Sequence, residues 1–198
     1  MIDPIVLVIA KRAILANFDP QYRLNAEAVV EAYPFLGSMG ACFVTLRKDQ
    51  ALRGCIGSII AHRRLIDDLI ANAKSAAFSD PRFDPISPTE FEDDLVLEVS
   101  ILSEPQQLSY SDYDDLLQKI RPKRDGVILQ YGSYQGTFLP QVWDELPDVA
   151  LFLEHLSYKA GANPGIYEQH PDIYTYEVEH IEAPWNSIDH LSLAKGIQ

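Results

Sequence analysis

Two β-rich runs, residues 40–46 and 52–60, flank the polar tetrapeptide 47–50, and this arrangement predicts a β-hairpin. Further strands are predicted at residues 95–102, 127–131, 137–139 and 173–181. Helices are predicted at residues 5–14, 65–78, 111–120 and 151–160, with a short one from Ser87-Pro88. Because the strands follow one another in hairpins and pairs instead of alternating with helices, we expect an α+β protein with antiparallel sheets and flanking helices.

The strand at residues 95–102 shows the clearest alternation in the chain. Apolar residues occupy every second position, and these are Leu95, Leu97, Val99 and Ile101. Glu98 and Ser100 lie between them, on the opposite face of a pleated strand. The pattern therefore predicts a half-exposed antiparallel strand with one face on the core.

The length and composition favour one compact domain. A chain of 198 residues with 47% hydrophobic content can bury an ordinary core, and its thirteen prolines are spread through the sequence instead of marking a linker. We assign residues 1–184 to a single domain, leave its internal division into lobes open, and expect 185–198 to be a loosely held tail.

The N-terminal segment and the two cysteines indicate the cellular compartment in which the protein is expected. The apolar run at residues 5–10 is preceded by an acid and followed by two basic residues, the reverse of an export signal, and it is far shorter than the about 20 residues of a membrane span. It predicts an amphipathic helix packed on the core. Two cysteines are too few for a disulfide framework, so we expect a cytoplasmic protein in a reducing compartment.

The charge balance argues against nucleic acid as the main partner. The formal net charge is −13 and the pI is about 4.6, so the surface as a whole repels polyanions. Local basic excess is confined to Arg63-Arg64 and the segment 119–124, and short charged runs of this kind are usually solvated faces.

The strand segment Leu-Arg-Gly-Cys-Ile-Gly at residues 52–57 is unusual because it contains two glycines. Gly54 and Gly57 weaken a strand and mark a bulge or the close approach of another backbone or a ligand. Strict alternation places Arg53, Cys55 and Gly57 on one face. A guanidinium beside a thiol favours the thiolate, which is the form that acts as a nucleophile or metal ligand. The alternative is that Cys55 is a small buried apolar residue.

The pairing of the hairpin can be predicted from its loop. If the two strands pair symmetrically about Asp49, Thr45 lies opposite Arg53 and Phe43 lies opposite Cys55. Cys42 then points to the opposite face and fills the core, so the two cysteines are expected to be unpaired.

Two other segments contain candidate site residues. The turn at residues 79–83 presents Asp80 and Arg82 close together, either as site residues or as a local ion pair. Gln141 and Trp143 follow a short strand and could line a pocket, although core packing explains the tryptophan equally well. The sequence contains no zinc-type spacing, phosphate-binding loop or serine elbow, so no metal site is predicted and any cofactor is unknown.

Several blocks together resemble the AMMECR domain family, named for the AMME chromosomal region. They are GACFVTL at 40–46, LRGCIG at 52–57, AAFSDPRF at 76–83, VSIL at 99–102, GTFLPQVWDELPD at 136–148, KAG at 159–161 and YTYEVE at 174–179. The resemblance covers roughly residues 5–181, and LRGCIG is the family signature. Within the family the chain looks most like the bacterial AmmeMemoRadiSam system protein A type, whose gene neighbours encode a Memo-like protein and a radical SAM protein. It departs from the usual pattern at Cys42, where alanine is common, and at Ser157-Tyr158, before KAG.

The resemblance implies two unequal lobes with a cleft between them and the signature strand at the floor of that cleft. It implies either an enzyme acting on a large substrate or a role in RNA modification, and the high acidity of this chain disfavours the latter. The catalytic candidates are Cys55 and Arg53. The candidates for substrate binding are Gly54, Gly57, Thr45, Asp80, Arg82 and Gln141. A non-catalytic module that binds a protein, such as the Memo-like or radical SAM neighbour, remains the alternative, and the sequence indicates neither substrate nor oligomeric state.

Overall fold

A computed structural model of the chain describes residues 2–92 and 94–189. The described residues form two compact units. The first contains the residues up to Leu102 together with those from Glu179 onwards, and the second is Ser103–Val178. Both units combine helices with antiparallel sheet, so the predicted α+β class is confirmed.

The helices are α1 (Ile5–Leu15), α2 (Ala26–Ala32), α3 (Leu65–Phe78), α4 (Tyr113–Lys119) and α5 (Val149–Lys159). The strands are β1 (Met39–Lys48), β2 (Ala51–Gly57), β3 (Arg63–Arg64), β4 (Leu95–Leu102), β5 (Gln106–Gln107), β6 (Gly126–Tyr131), β7 (Tyr134–Phe138), β8 (Asp172–Tyr176) and β9 (Val178–Pro184). Short 3-10 helices include Pro88–Glu92, Pro140–Asp144, Pro164–Gln169 and Trp185–Ser187.

Two sheets organise these elements. The first has the order β2-β1-β4-β9, with β3 paired to β1, and the second has the order β5-β8-β6-β7. The single final strand predicted at residues 173–181 is in fact two strands that belong to different sheets. They are separated at Glu177, whose backbone exchanges hydrogen bonds with the backbone and hydroxyl of Ser103 instead of continuing the ladder.

The core of the first unit lies between one face of its sheet and the helices α1 and α3. Every residue of α1 from Ile5 to Ala10 is buried, so this helix is enclosed more completely than an amphipathic pattern implies. On β4, the leucines at 95 and 97 and Val99 lie in the core, and Ile101 packs against it. The prediction of a half-exposed β4 was wrong, because Glu98 and Ser100 on its other face are only 6% and 3% exposed.

The segment after Pro184 is packed where the structure describes it. Trp185 and Ile188 are buried in the core of the first unit, and Trp185 stacks on Phe91 with ring centroids 4.7 Å apart. The buried Lys11 donates hydrogen bonds to the carbonyls of Trp185 and Ile188, at 2.7 and 3.0 Å, and burial lowers the pKa of this lysine. The expected loose tail therefore does not begin at residue 185, and residues 190–198 lie outside the described part of the chain.

A buried carboxylate attaches α3 to the sheet. Asp68, which is completely buried, accepts hydrogen bonds from the backbone N–H of Cys42, the hydroxyl of Ser58 and the amide of Asn72. Arg63 supplies the compensating charge at 2.8 Å. Because the partners come from β1, the segment after β2, β3 and α3 itself, this one group fixes the position of the helix.

Both signature glycines lie where packing within the first unit leaves no room for a side chain. A Cβ atom at Gly54 would lie 2.1 Å from the carbonyl oxygen of Ala76, because the backbone of α3 rests directly on β2. A Cβ at Gly57 would lie 2.2 Å from the ring of Phe43 on the neighbouring strand. The close approach predicted from the two glycines is thus made by a helix backbone and an aromatic ring of the same unit.

The second unit has its own core, around Trp143. The Trp143 ring is fully buried and stacks on Phe152 of α5, with centroids 3.7 Å apart. Its Nε1–H donates to the carbonyl of Asp125 at 2.7 Å, which satisfies the polar end of the indole. Trp143 is therefore a core residue, in agreement with the alternative that core packing explains its position.

The two glycines lead to different predictions for alanine substitution. Gly54→Ala places a methyl group against a helix backbone that cannot yield without moving α3, and we expect it to lower the free energy of unfolding by about 3 kcal/mol, the upper end for overpacking. Gly57→Ala meets the Cγ end of the Phe43 ring, which can move only through a change of the Phe43 χ1 rotamer, and we expect a smaller loss of about 2 kcal/mol. Urea unfolding of both variants measures these losses. The double variant Gly57→Ala/Phe43→Leu is the control for the second clash, and equal losses at the two glycines would contradict this explanation.

Candidate functional site

The β1–β2 hairpin turns at Asp49 and Gln50, both of which have positive φ angles, 50° and 65°. Thr45 lies opposite Cys55 in this hairpin, and Phe43 lies opposite Gly57. The predicted register, with Thr45 opposite the arginine at 53, was therefore wrong by two residues along β2. One residue of this shift arises because the turn is centred between residues 49 and 50 instead of on Asp49. The second arises from an irregularity in the pairing of the two strands.

The irregularity is a β-bulge at Arg53. Leu52 pairs with Arg47 and Gly54 pairs with Leu46, so Arg53 is the extra residue on β2. Alternation cannot be carried through a bulge, so the direction of the Arg53 side chain does not follow from that of Cys55.

Arg53 is engaged in a bidentate ion pair. Its Nε and Nη2 atoms donate to the two carboxylate oxygens of Glu90 at 2.8 and 3.1 Å, and Nη2 also donates to the carbonyl of Asp84. This pair lowers the pKa of Glu90 to about 2, and the backbone N–H of Ser87 contributes to the same effect. The predicted role of Arg53 in holding an anionic group stays a prediction, and it requires the incoming anion to compete with Glu90.

Cys55 is half-buried, and its backbone is held from both sides by the turn that follows α3. Its N–H donates to the Oδ2 atom of Asp80 at 2.9 Å, and its carbonyl accepts from Nη2 of Arg82 at 3.2 Å. Asp80 is buried and pairs with Arg82 at 2.7 Å. The hydrogen bonds from Arg82, with that of the Cys55 N–H, hold the pKa of Asp80 well below its usual range. The local ion pair predicted at this turn is present, and both of its residues form hydrogen bonds with the backbone of Cys55 on β2.

The sulfur of Cys55 contacts a hydroxyl on the neighbouring strand. The Oγ1 atom of Thr45 donates to Sγ at 3.2 Å. Cys42, by contrast, is completely buried, and its pKa is raised, chiefly by burial and then by Asp68. Both cysteines are free, as predicted.

A polar row crosses three neighbouring strands at this point. Thr45 on the central strand is directly opposite Cys55 on one side and Glu98 on the other. Directly opposed residues share a face of a sheet, so all three side chains lie on the face turned away from the core cluster. Glu98 is compensated by Arg47 at 2.6 Å and by the hydroxyl of Ser100 at 3.1 Å. We call Thr45, Cys55, Glu98 and Ser100 the polar face.

The structure brings together part of the predicted site. Thr45, Cys55, Asp80 and Arg82 are linked by direct hydrogen bonds within the first unit. Gln141 belongs to the second unit, where it is exposed. The sequence predicts an exposed face for Glu98. The pairing of β1 with β4, which sets Glu98 opposite Thr45, shows that Glu98 belongs to the polar row.

Two features are absent from the described residues. Within residues 2–92 and 94–189, no group of three or more histidine, cysteine, aspartate or glutamate side chains is arranged to hold a metal ion. No helix in the same ranges has the length and apolar character needed to traverse a lipid bilayer.

The fold and the site define an α+β protein with the signature strand at the edge of its five-stranded sheet. The AMMECR1 family model matches residues 7–181, and the chain belongs to this family. Protein MJ0810 of Methanocaldococcus jannaschii is 39% identical over 176 residues, which are 86% of this chain and 85% of that protein. A protein of Methanothermobacter thermautotrophicus is 41% identical over 139 residues, covering 69% of this chain and 72% of its own length.

The fold also resembles a solved structure. The crystal structure of the uncharacterized protein PH0010 from Pyrococcus horikoshii superimposes with a TM-score of 0.77 at 31% identity, and the match covers 90% of this chain and 89% of that one.

The Arg53–Glu90 pair predicts a specific pH dependence of stability. Because the pKa of Glu90 is lowered from 4.5 to about 2 in the folded protein, its ionised form stabilises the fold above about pH 4.5, and this contribution is lost as the pH falls toward 2. We expect the free energy of unfolding to fall more steeply over this interval for the native protein than for Glu90→Gln. Chemical unfolding at a series of pH values measures both slopes.

The control for this experiment is Glu104→Gln, which removes an exposed glutamate of the second unit. Its stability should follow the native protein across the same interval. Parallel curves for Glu90→Gln and the native protein would contradict the proposed role of the pair.

Proposed function

We propose that a large substrate or a protein partner meets this chain at the half-buried Cys55, with the other residues of the polar face buried beside it, and that the thiol of Cys55 is the reactive group, serving as a nucleophile or covalent carrier. One observation carries this proposal: the hydroxyl of Thr45 donates to the Cys55 sulfur while Thr45 lies directly between Cys55 and Glu98. A hydroxyl that donates to sulfur orients the atom and stabilises negative charge that develops on it.

The energetic cost of the polar face supports a functional interpretation. Burying a carboxylate is costly unless it is paired, and Glu98 is only 6% exposed. An apolar residue at position 98 would need neither Arg47 nor Ser100 as a partner. The gathering of a carboxylate, two hydroxyls and a thiol on one face of a sheet is therefore better explained by chemistry or recognition than by packing.

The partners follow from the resemblance to the AmmeMemoRadiSam type. We propose that the chain acts as a component of a larger activity, together with a Memo-like protein and a radical SAM protein. The cleft that the resemblance implies around the signature strand is part of this proposal.

A second candidate function is a binding module without chemistry of its own. Two observations favour it. The guanidinium of Arg53 is already engaged by Glu90, and among the described residues the hydrogen bond to the Cys55 sulfur comes from a hydroxyl instead of an imidazole base. The net charge of −13 gives a role in RNA modification less support than either.

Alkylation of the native protein tests the reactive thiol. We expect iodoacetamide to modify Cys55 and to spare Cys42, because the latter is sealed in the core. Thr45→Val removes the hydroxyl at nearly constant volume and should slow the alkylation of Cys55 several-fold. Peptide mass spectrometry measures both sites in one sample. If Cys55 is as resistant as Cys42 in the native state, the reactive-thiol proposal fails.

Co-purification with the Memo-like and radical SAM proteins separates the two candidate functions. We expect Cys55→Ala to retain both partners and to abolish the activity of the assembled complex, since the strand is held through backbone atoms that the substitution leaves in place. Cys42→Ala is the matched control and should retain partners and activity. A Cys55→Ala complex with full activity would establish the binding module instead.

A further inference from the structure

A groove in the second unit has a chemical character different from that of the polar face. It runs between the start of α4 and the 3-10 helix Pro164–Gln169, and its volume is about 580 Å³. It is lined chiefly by Asp112, Tyr113, Pro164, Tyr167, Glu168 and His170. The volume is within the range of about 300 to 1,000 Å³ that is typical of small-molecule sites.

The aromatic wall of the groove is held in place by the fold. Tyr167 is buried and donates its hydroxyl to the carbonyl of Leu153 at 2.7 Å. Tyr113, which is 36% exposed, lies against it with ring centroids 5.4 Å apart. Burial is the main cause that raises the pKa of both phenols, so the two rings are uncharged at neutral pH.

His170 completes this wall from the other end. Its ring stacks on Tyr110 with centroids 4.2 Å apart, and its Nε2 atom lies 3.0 Å from the Tyr110 carbonyl, to which it donates. The backbone of His170 is left-handed, with φ of 54°, a conformation that few residues other than glycine adopt. This backbone conformation places the ring of His170 beside the groove.

The charges around the groove have one sign. Asp112 and Glu168 line it, and Asp148 and Glu154 act on Tyr113 through their charge, whereas no lysine or arginine is among its lining residues. Asp112 is occupied as the cap of α4, where it accepts from the N–H of Asp115. Glu168 is exposed and has no hydrogen-bonded or ionic partner within the described part of the chain. Its carboxylate is therefore available to a ligand.

We propose that this groove binds a small organic ammonium ion. A cation that lies over tyrosine rings is attracted by their π faces, and a nearby free carboxylate adds a Coulombic contribution. An anionic ligand would be repelled by the carboxylates of Asp112 and Glu168, and a purely apolar ligand would gain nothing from their charge. The chemical class of the occupant follows from these lining residues and is independent of the function proposed for Cys55.

Choline is a suitable probe, and 3,3-dimethylbutan-1-ol is its matched control, because this alcohol has the same shape without the charge. Titration of the native protein, followed by NMR of the tyrosine rings at constant ionic strength, should show saturable binding of choline and at least about tenfold weaker binding of the alcohol. Equal affinity for the two probes would overturn the proposal. So would saturable binding of an oligolysine peptide without binding of choline, which would indicate a protein partner.

Two substitutions assign the binding to this groove. Tyr113→Leu and Glu168→Gln should each weaken choline binding by about three- to thirtyfold. The matched controls, Tyr134→Leu and Glu104→Gln, remove an exposed tyrosine and an exposed glutamate of the same unit and should bind choline like the native protein. Circular dichroism confirms that each variant is folded. Unchanged affinity in both groove variants would overturn the assignment.

Discussion

The position of α3 depends on the buried carboxylate of Asp68, and much of the first unit follows from that position. Asp68, Asn72 and Ala76 are spaced by four residues, so they form one stripe along the helix. The first two bind the backbone of Cys42 on β1, and the third rests on Gly54 of β2. Because these contacts fix the position of the C-terminal end of α3, they also fix the position of the turn that follows it. In this turn Asp80 accepts a hydrogen bond from the N–H of Cys55. The buried Asp68 therefore helps to position Asp80 against Cys55.

Elements with one dominant period are predictable from the sequence. The predicted bounds of α3, 65–78, and of β4, 95–102, agree with the structure at both ends, because a stripe or an alternation of apolar residues identifies them without any knowledge of neighbours. The register of β1 and β2 was not predictable in this way. It depends on a bulge at Arg53, and the side chain of this extra residue pairs with Glu90, 37 residues further along the chain. No local pattern contains this information.

The burial of Glu98 escaped prediction for a related reason. Alternation correctly assigns it to the face opposite Leu97 and Val99, but it cannot tell whether a charged residue there is solvated or compensated. Compensation comes from Arg47, which reaches Glu98 only because β1 and β4 are neighbours in the sheet. The candidate site was therefore found as a set of residues around Cys55, whereas the carboxylate that completes its polar row required the three-dimensional pairing.

Most of the signature strand serves the architecture of the first unit. Arg53 forms an ion pair with Glu90, and Gly54 leaves space for the backbone of α3. Ile56 packs against the core, and Gly57 contacts the ring of Phe43. Cys55 differs from these four because its supporting contacts are made by its backbone N–H and carbonyl, to Asp80 and Arg82. Within the part of the chain that the structure describes, the hydrogen bond to its side chain comes from the Thr45 hydroxyl and orients the sulfur. Because these contacts are made by the backbone of Cys55, replacement of its thiol leaves the hydrogen bonds to Asp80 and Arg82 in place.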